Sequence, residues 1–267
     1  MTRRPRGRRL SVALTAVLLA VLAVTFAPPA TRASTSTDAE SLAIDLINAK
    51  RVAAGLVPLR RLHELAVIAG TRAGRMRDAN SLSHSVGGSI DKQLANEDVD
   101  WYSYGEAIGY SYGSWASGAA RDLVKLWMNS PSHRALLMSS KFNYVGVGLS
   151  YRSSNHRTFG SVMLTESTDV NGARSWVLRT STAGDDITWT WSGADLALQT
   201  HTAGLRDYDV QYRVGSGSWV TARNDSTGTS ITLWNRTRGV TYGVHIRATD
   251  RRGNAGAWTA EYRVTLP

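Results

Sequence analysis

Few side chains in this sequence could do chemistry. The 267 residues include six histidines and no cysteine, so thiolate catalysis and disulfide stapling are both excluded. Ser83 and Ser85 flank His84, and Ser132 precedes His133, but no strained elbow motif frames any of these pairs as a nucleophile and its base. No glycine loop follows a strand and opens a helix, which removes phosphate and dinucleotide sites. His63 stands at the start of a helix pattern and reads as a surface residue. His245 points away from an alternating apolar face and reads as solvated. His156 and His201 fall in loops with no assignable role. Trp101, Tyr102, Tyr104, Tyr110, Tyr112 and Trp115 crowd the stretch around Glu106. With Gly105, Gly109 and Gly113 among them, they read as a tightly turning loop packed by its own rings. The other reading is an aromatic platform for a sugar, peptide or lipid.

The elements that must position these residues have two textures. Thr37 with Glu40 fits a capping box, and Leu42, Leu46, Ile47 and Ala49/Ala53 keep helical spacing up to Gly55. A second helix is expected from about Arg61 to Asn80, with Leu62, Leu65, Ala69, Ala73 and Met76 on one face. A third is expected from about Ala119 to Asn129, bounded by Pro131. Val145, Val147, Leu149 and Tyr151 then alternate with Gly146, Gly148 and Ser150. That period of two is a strand, and its small face lets another element pack close. Ser161–Thr165 reads as its partner. From Ile187 onward the period is two throughout. Ile187, Trp189 and Trp191 share a face, as do Tyr208, Val210, Tyr212 and Val214, and then Tyr242, Val244, Ile246 and Ala248. Short strands at regular intervals predict an antiparallel sandwich.

Length at ~100–200 residues per domain allows two domains. The formal charge of +10 first suggests nucleic acid. Six of the 31 basic residues precede residue 34 and no acid does, which leaves 25 basic and 21 acidic side chains, a net of +4. No basic stripe remains to track phosphates, and nucleic acid is not an expected partner. The basic stretch 2–9, the apolar run Leu10–Ala27 and the small residues after Pro28-Pro29 read as a secretory signal. The expectations are cleavage between about Ala30 and Ser34, no stable membrane span afterwards, and a secreted or cell-envelope protein. The alternative is an uncleaved anchor, because the 18-residue apolar run is just long enough to span a bilayer.

The ordered segments LINAKRVAAGLVPLRRLHELAVIAGTRAGRM, LSHS (82–85), GEAIGY (105–110), WMNSPSHRALL (127–137) and YVGVGLSY (144–151) resemble the bacterial, SCP-like branch of the CAP superfamily. That superfamily comprises cysteine-rich secretory proteins, antigen 5 and plant pathogenesis-related proteins. The WTWSG, YDVQYR and TYGVHIRATDRRGNAG segments, with the strand-start Tyr242, resemble a fibronectin type III domain. The resemblances imply an α+β chain: signal peptide 1–33, an α-β-α sandwich CAP domain over 34–180, and an all-β fibronectin type III-like sandwich over 181–267. They also imply an open cleft carrying His84, Glu106 and His133. The family's second acid falls on Ser130, three residues after Trp127, so it is missing here, and Ala107 replaces the usual Asn. Two imidazoles and one carboxylate would suit Zn²⁺ or another divalent cation of similar preference, with a fourth position open. Alternatively, the trio hydrogen-bonds internally and pins loops. With only Glu106 as an acid in the cleft, paired-carboxylate glycoside cleavage is not expected. The expected function is binding of an extracellular or cell-wall ligand. The alternative is a metal-dependent hydrolase acting on peptide or cell-wall substrates.

Overall fold

The structure, a computed structural model, describes residues 36–113 and 115–267; the signal expected over 1–33 lies outside them. Its elements are α1 (Ser36–Ala53), β1 (Arg60–Arg61), α2 (His63–Ala79), α3 (Ile90–Asn96), β2 (Ser103–Tyr112), α4 (Ser117–Asn129), α5 (Pro131–Leu137), β3 (Tyr144–Arg152) and β4 (Arg157–Glu166), followed by seven further strands. Helix and sheet are mixed, as expected. Among the described residues no helix is long and apolar enough to cross a membrane.

The first nine elements form one sheet, in the order β1-β3-β4-β2, with helices on both faces. On β3, Val145, Val147 and Leu149 enter a core with Ile44, Ile47, Leu123 and Trp127 from α1 and α4. The opposite face is Gly146 and Gly148, and α2 lies directly on it. A Cβ at Gly148 would sit 2.2 Å from the Gly70 amide nitrogen, and one at Gly146 would sit 2.2 Å from the Leu65 carbonyl carbon. The small face predicted from the alternation is therefore a contact between backbones.

Two local expectations are corrected and one is extended. Thr37 lies inside α1, and Glu40 reaches across to accept from the Leu149 amide at 3.0 Å, so this pair does not mark the start of the helix. Pro131 ends α4 and also begins α5 at its first position, where a missing N–H costs nothing. The aromatic stretch around Glu106 is a strand, β2, paired antiparallel with β4 along its length. Its glycines are not turns. Gly105 and Gly109 leave room for Leu136 and for Trp127, whose indole N–H donates to the Ile108 carbonyl at 3.0 Å.

The remaining strands are β5 (Arg174–Ala183), β6 (Asp186–Ala194), β7 (Leu205–Val214), β8 (Val220–Ser226), β9 (Ser230–Leu233), β10 (Thr241–Asp250) and β11 (Tyr262–Thr265). They form a three-stranded sheet, β5-β6-β9, and a four-stranded sheet, β11-β10-β7-β8. Trp189, Trp191, Tyr208, Val210, Val244 and Ile246 share one core. The boundary expected near residue 180 falls inside β5, which pairs with β6. The loop 195–204 between β6 and β7 packs back onto the first sheet's layer. Leu198 joins a cluster with Leu65, Ile68, Tyr144 and Met163. The Val57 amide donates to Gln199, Asn143 donates to the Thr200 carbonyl, and His201 pairs with Glu166 at 3.1 Å beneath the ring of Tyr102.

His245 is not solvated. It lies between Trp219 (3.7 Å between ring centres) and Trp258 (4.1 Å), and Arg213 and Arg247 contact the two indoles in turn. Its Nε2–H donates to Gln211. Burial holds its pKa below the ordinary value and Arg213 adds to this, with Glu261 opposing. The unfolded chain takes up this proton near pH 6.5 while the folded chain resists it, so stability falls as pH drops below about 6.5. Denaturation midpoints at pH 7.5 and 5.5 should therefore differ less in His245→Gln than in the wild type. Equal pH dependence in the two proteins would count against this reading.

Candidate functional site

The site begins with an arginine on an apolar stripe. Along α2, Leu65, Ile68, Ala69, Ala73 and Met76 are buried, and Arg72 is buried among them with no exposed surface. A guanidinium taken out of water must be paired and hydrogen-bonded. Its partner is Glu106, which β2 presents on the face turned toward α2. Arg72 Nε donates to Glu106 Oε1 at 2.5 Å, and Nη2 donates to Oε2 at 3.0 Å. Nη1 and Nη2 also donate to the carbonyls of Val86 (3.1 Å) and His84 (2.6 Å), which fixes the loop after α2.

Glu106, only 2% exposed at its side chain, accepts two more bonds. Ser161 Oγ on the adjacent strand β4 donates to Oε1 at 2.9 Å, and His84 Nδ1 lies 2.8 Å from Oε2. An ionised carboxylate only accepts, so His84 carries its proton on Nδ1 in this bond. Its side chain is 60% exposed, so the rest of the ring is open to solvent. Of the expected trio, His84 and Glu106 are thus brought into direct contact.

His133 reaches the site from α5. It lines an open cleft of about 600 Å³ with Asp122, Lys125, Leu126, Asn129 and Ser130. Its Nδ1 is buried without a partner. Burial, and then the nearby His84, lower its pKa, so it favours the neutral form. Ser130, where the resemblance leads one to expect an acid, lines the same cleft and has its hydroxyl 3.3 Å from that of Ser132. Among the described residues His84, Glu106 and His133 do not converge as one group of metal-sized spacing, whereas Asp169, Asp195 and Asp250 do. Moreover, a carboxylate offers about four lone-pair positions, and the four bonds to Glu106 use them all. As placed, the trio does not fit a three-ligand metal site.

A second cleft, about 440 Å³, opens beside His84 and is lined by Ser85, Ser89, Ile90, Asp91 and Tyr104. Tyr104 stands edge-on to Trp101 at 4.9 Å, and both rings are more than a third exposed. Ser83 and Ser85 hydrogen-bond each other at 2.8 Å. His63 is exposed on α2, as expected.

Sequence reasoning missed Arg72 and Ser161. The signal for Arg72 was present: a charged residue at core spacing in Leu65, Ile68, Arg72, Met76. Ser161 carried no signal, because only the register Ile108–Ser161 between β2 and β4 places it beside Glu106.

Residues 44–164 match the family model described as CAP, the cysteine-rich secretory protein family. The chain is 34% identical over 115 residues (42% of its length) to "Uncharacterized membrane protein YlbC" of Bacillus subtilis (strain 168), and 30% identical over 111 residues (41%) to "Uncharacterized protein YkwD" of the same organism. It spans only 32% and 41% of those two relatives. Among solved structures it is similar to an extracellular protein containing a SCP domain from Bacillus anthracis str. Ames. That match has 23% identity and a TM-score of 0.41, and it covers 49% of this chain and 41% of that one.

Proposed function

We propose that this chain, which carries a CAP domain, works outside the cytoplasm as a binding protein for a neutral glycan, held in the cleft between His84 and Tyr104. One observation carries this reading, the lining of that cleft. The rim offers an imidazole, two serine hydroxyls and the Asp91 carboxylate beside an exposed aromatic ring, and it has no Lys or Arg. Sugar hydroxyls can both donate to and accept from such groups, and a sugar's C–H face packs on an aromatic ring. An anionic polymer would meet a carboxylate with no cation. The site outside the cytoplasm rests on the signal-like residues 1–33.

The all-strand part serves as a fibronectin type III-like spacer or contact surface. Its division into sheets of three and four strands supports this, as does the Tyr242 hydroxyl accepting from the Thr237 amide at 2.9 Å, in the manner of a tyrosine corner. On this reading the CAP domain runs to about residue 173 and the second domain begins with β5.

The test is a titration with N-acetylglucosamine tetramer, followed by tryptophan fluorescence and calorimetry. Saturable binding is expected, and it should weaken about tenfold in Tyr104→Ala, the equivalent of ~1.4 kcal/mol from one lost aromatic face. His84→Ala should weaken it as well. No binding, or binding indifferent to both substitutions, refutes the glycan reading. Turnover of peptide or cell-wall substrates that disappears with a chelator and with Glu106→Gln would favour the metal-dependent hydrolase instead.

A further inference from the structure

We infer that Arg72 is the resident cation of this site, and that it makes Glu106 a positioning residue for His84 rather than a metal ligand. The family resemblance sets Glu106 beside two histidines as a donor. The contacts around Glu106 give it another task. Its Oε1 accepts from Arg72 Nε and Ser161 Oγ, and its Oε2 accepts from Arg72 Nη2 and His84 Nδ1. To ligate an ion, Glu106 would have to give up at least one of these bonds. Releasing Arg72 would leave a guanidinium with no exposed surface and no counter-charge, the costliest of the available losses.

Arg72 also holds His84 twice. Its Nη2 fixes the backbone by bonding the His84 carbonyl, and the same nitrogen bonds the Glu106 oxygen that receives the His84 ring. Backbone position and ring orientation are therefore set by one side chain. A carboxylate behind an imidazole fixes which nitrogen keeps the proton and raises the basicity of the other. The outcome is a ring whose Nδ1 is committed to Glu106, so that a neutral imidazole here accepts a hydrogen bond from a hydroxyl through Nε2. This assignment of Arg72 and Glu106 does not depend on the ligand being a glycan.

The decisive experiment is NMR of the full-length folded protein labelled with ¹⁵N and ¹³C. Expected for the wild type is a His84 tautomer protonated at Nδ1. On adding Zn²⁺ alone, the Glu106 carboxyl resonance should stay in place whether or not the His84 ring resonances move. A Glu106 carboxyl signal that moves in step with zinc saturation, or a His84 ring protonated at Nε2, overturns the inference. A second arm uses Arg72→Gln, with folding checked by circular dichroism. Freeing Glu106 should then raise Zn²⁺ affinity by about tenfold or more, and the His84 ring should lose its single tautomer. A folded Arg72→Gln with unchanged zinc affinity and an unchanged His84 tautomer also overturns it. If that variant does not fold, the wild-type spectra decide alone. A merely structural ion pair would leave the His84 tautomer independent of Arg72. Loss of glycan binding with these spectra intact would refute the ligand reading and leave the role of Arg72 standing.

Discussion

Arg72→Met should destabilise the folded chain by about 3–5 kcal/mol, because it leaves the Glu106 charge buried without its partner. Both side chains are essentially out of solvent, at 0% and 2% exposed, so water does not screen the pair. The same substitution removes the donors that hold the carbonyls of His84 and Val86, so the loop after α2 should loosen too. The double variant Arg72→Met, Glu106→Leu should recover most of the loss, since a buried ion pair replaced by apolar groups of similar size is often close to neutral. Chemical denaturation of the wild type, both single variants and the double variant closes the cycle and isolates the coupling. An Arg72→Met protein within about 1 kcal/mol of the wild type would show that the pair is not what secures this corner.

The second large effect is expected at Gly148. Alanine there should cost more than about 3 kcal/mol, at or beyond the usual range for overpacking. Its Cβ would collide with the Gly70 nitrogen at 2.2 Å and the Ala69 carbonyl carbon at 2.3 Å. These are backbone atoms of α2, so no rotamer change relieves the clash, and the helix must move off the sheet. Arg72 lies two residues beyond Gly70, so the shift should also separate it from Glu106. Gly160→Ala is the control, because its Cβ meets the tip of the Leu123 side chain at 2.8 Å, which can turn aside. Thermal unfolding of the two variants should separate them clearly. Similar melting temperatures would mean that α2 can slide on β3 at little cost.

The parts of the fold legible in the sequence were those where a single period ran uninterrupted. Helix α2, helix α4, and strands β3 and β4 all sit within a few residues of where apolar spacing placed them. Strand β2 was obscured by its glycines. Tyr104, Glu106, Ile108, Tyr110 and Tyr112 alternate with small residues, a clear period of two, but glycine read as turn punctuation hid that pattern. The glycines serve instead to admit Leu136 and Trp127 from the helical layer. The change of texture read near Gly184 is a hairpin between β5 and β6, because β5 alternates too weakly in apolar residues to announce the strand before it. Of the candidate site, the His84–Glu106 contact follows from matching ordered motifs. The filling of Glu106 does not, because it depends on a strand register and on one charged residue inside an apolar stripe. His245 was misjudged for a related reason. A residue on the outer face of a strand is solvated only if nothing covers it, and here Trp219 and Trp258 do.

The loop 195–204 has a consequence for the order in which the chain acquires its structure. Leu198 completes an apolar cluster whose other members, Leu65, Ile68, Tyr144 and Met163 among them, all precede it in the chain. A contact closed over such a separation is slow to form, because the entropy of the intervening loop is lost before the contact returns anything. As the chain emerges from its N-terminal end, helix α2 and strand β3 can meet early, but the patch beside Tyr144 stays uncovered until the β6–β7 connection arrives. During that interval the nascent protein presents a sticky apolar surface, the situation in which chaperones and crowding decide between maturation and aggregation. The rate of refolding should accordingly be governed by the docking of this late segment, with the pairing within each sheet already complete.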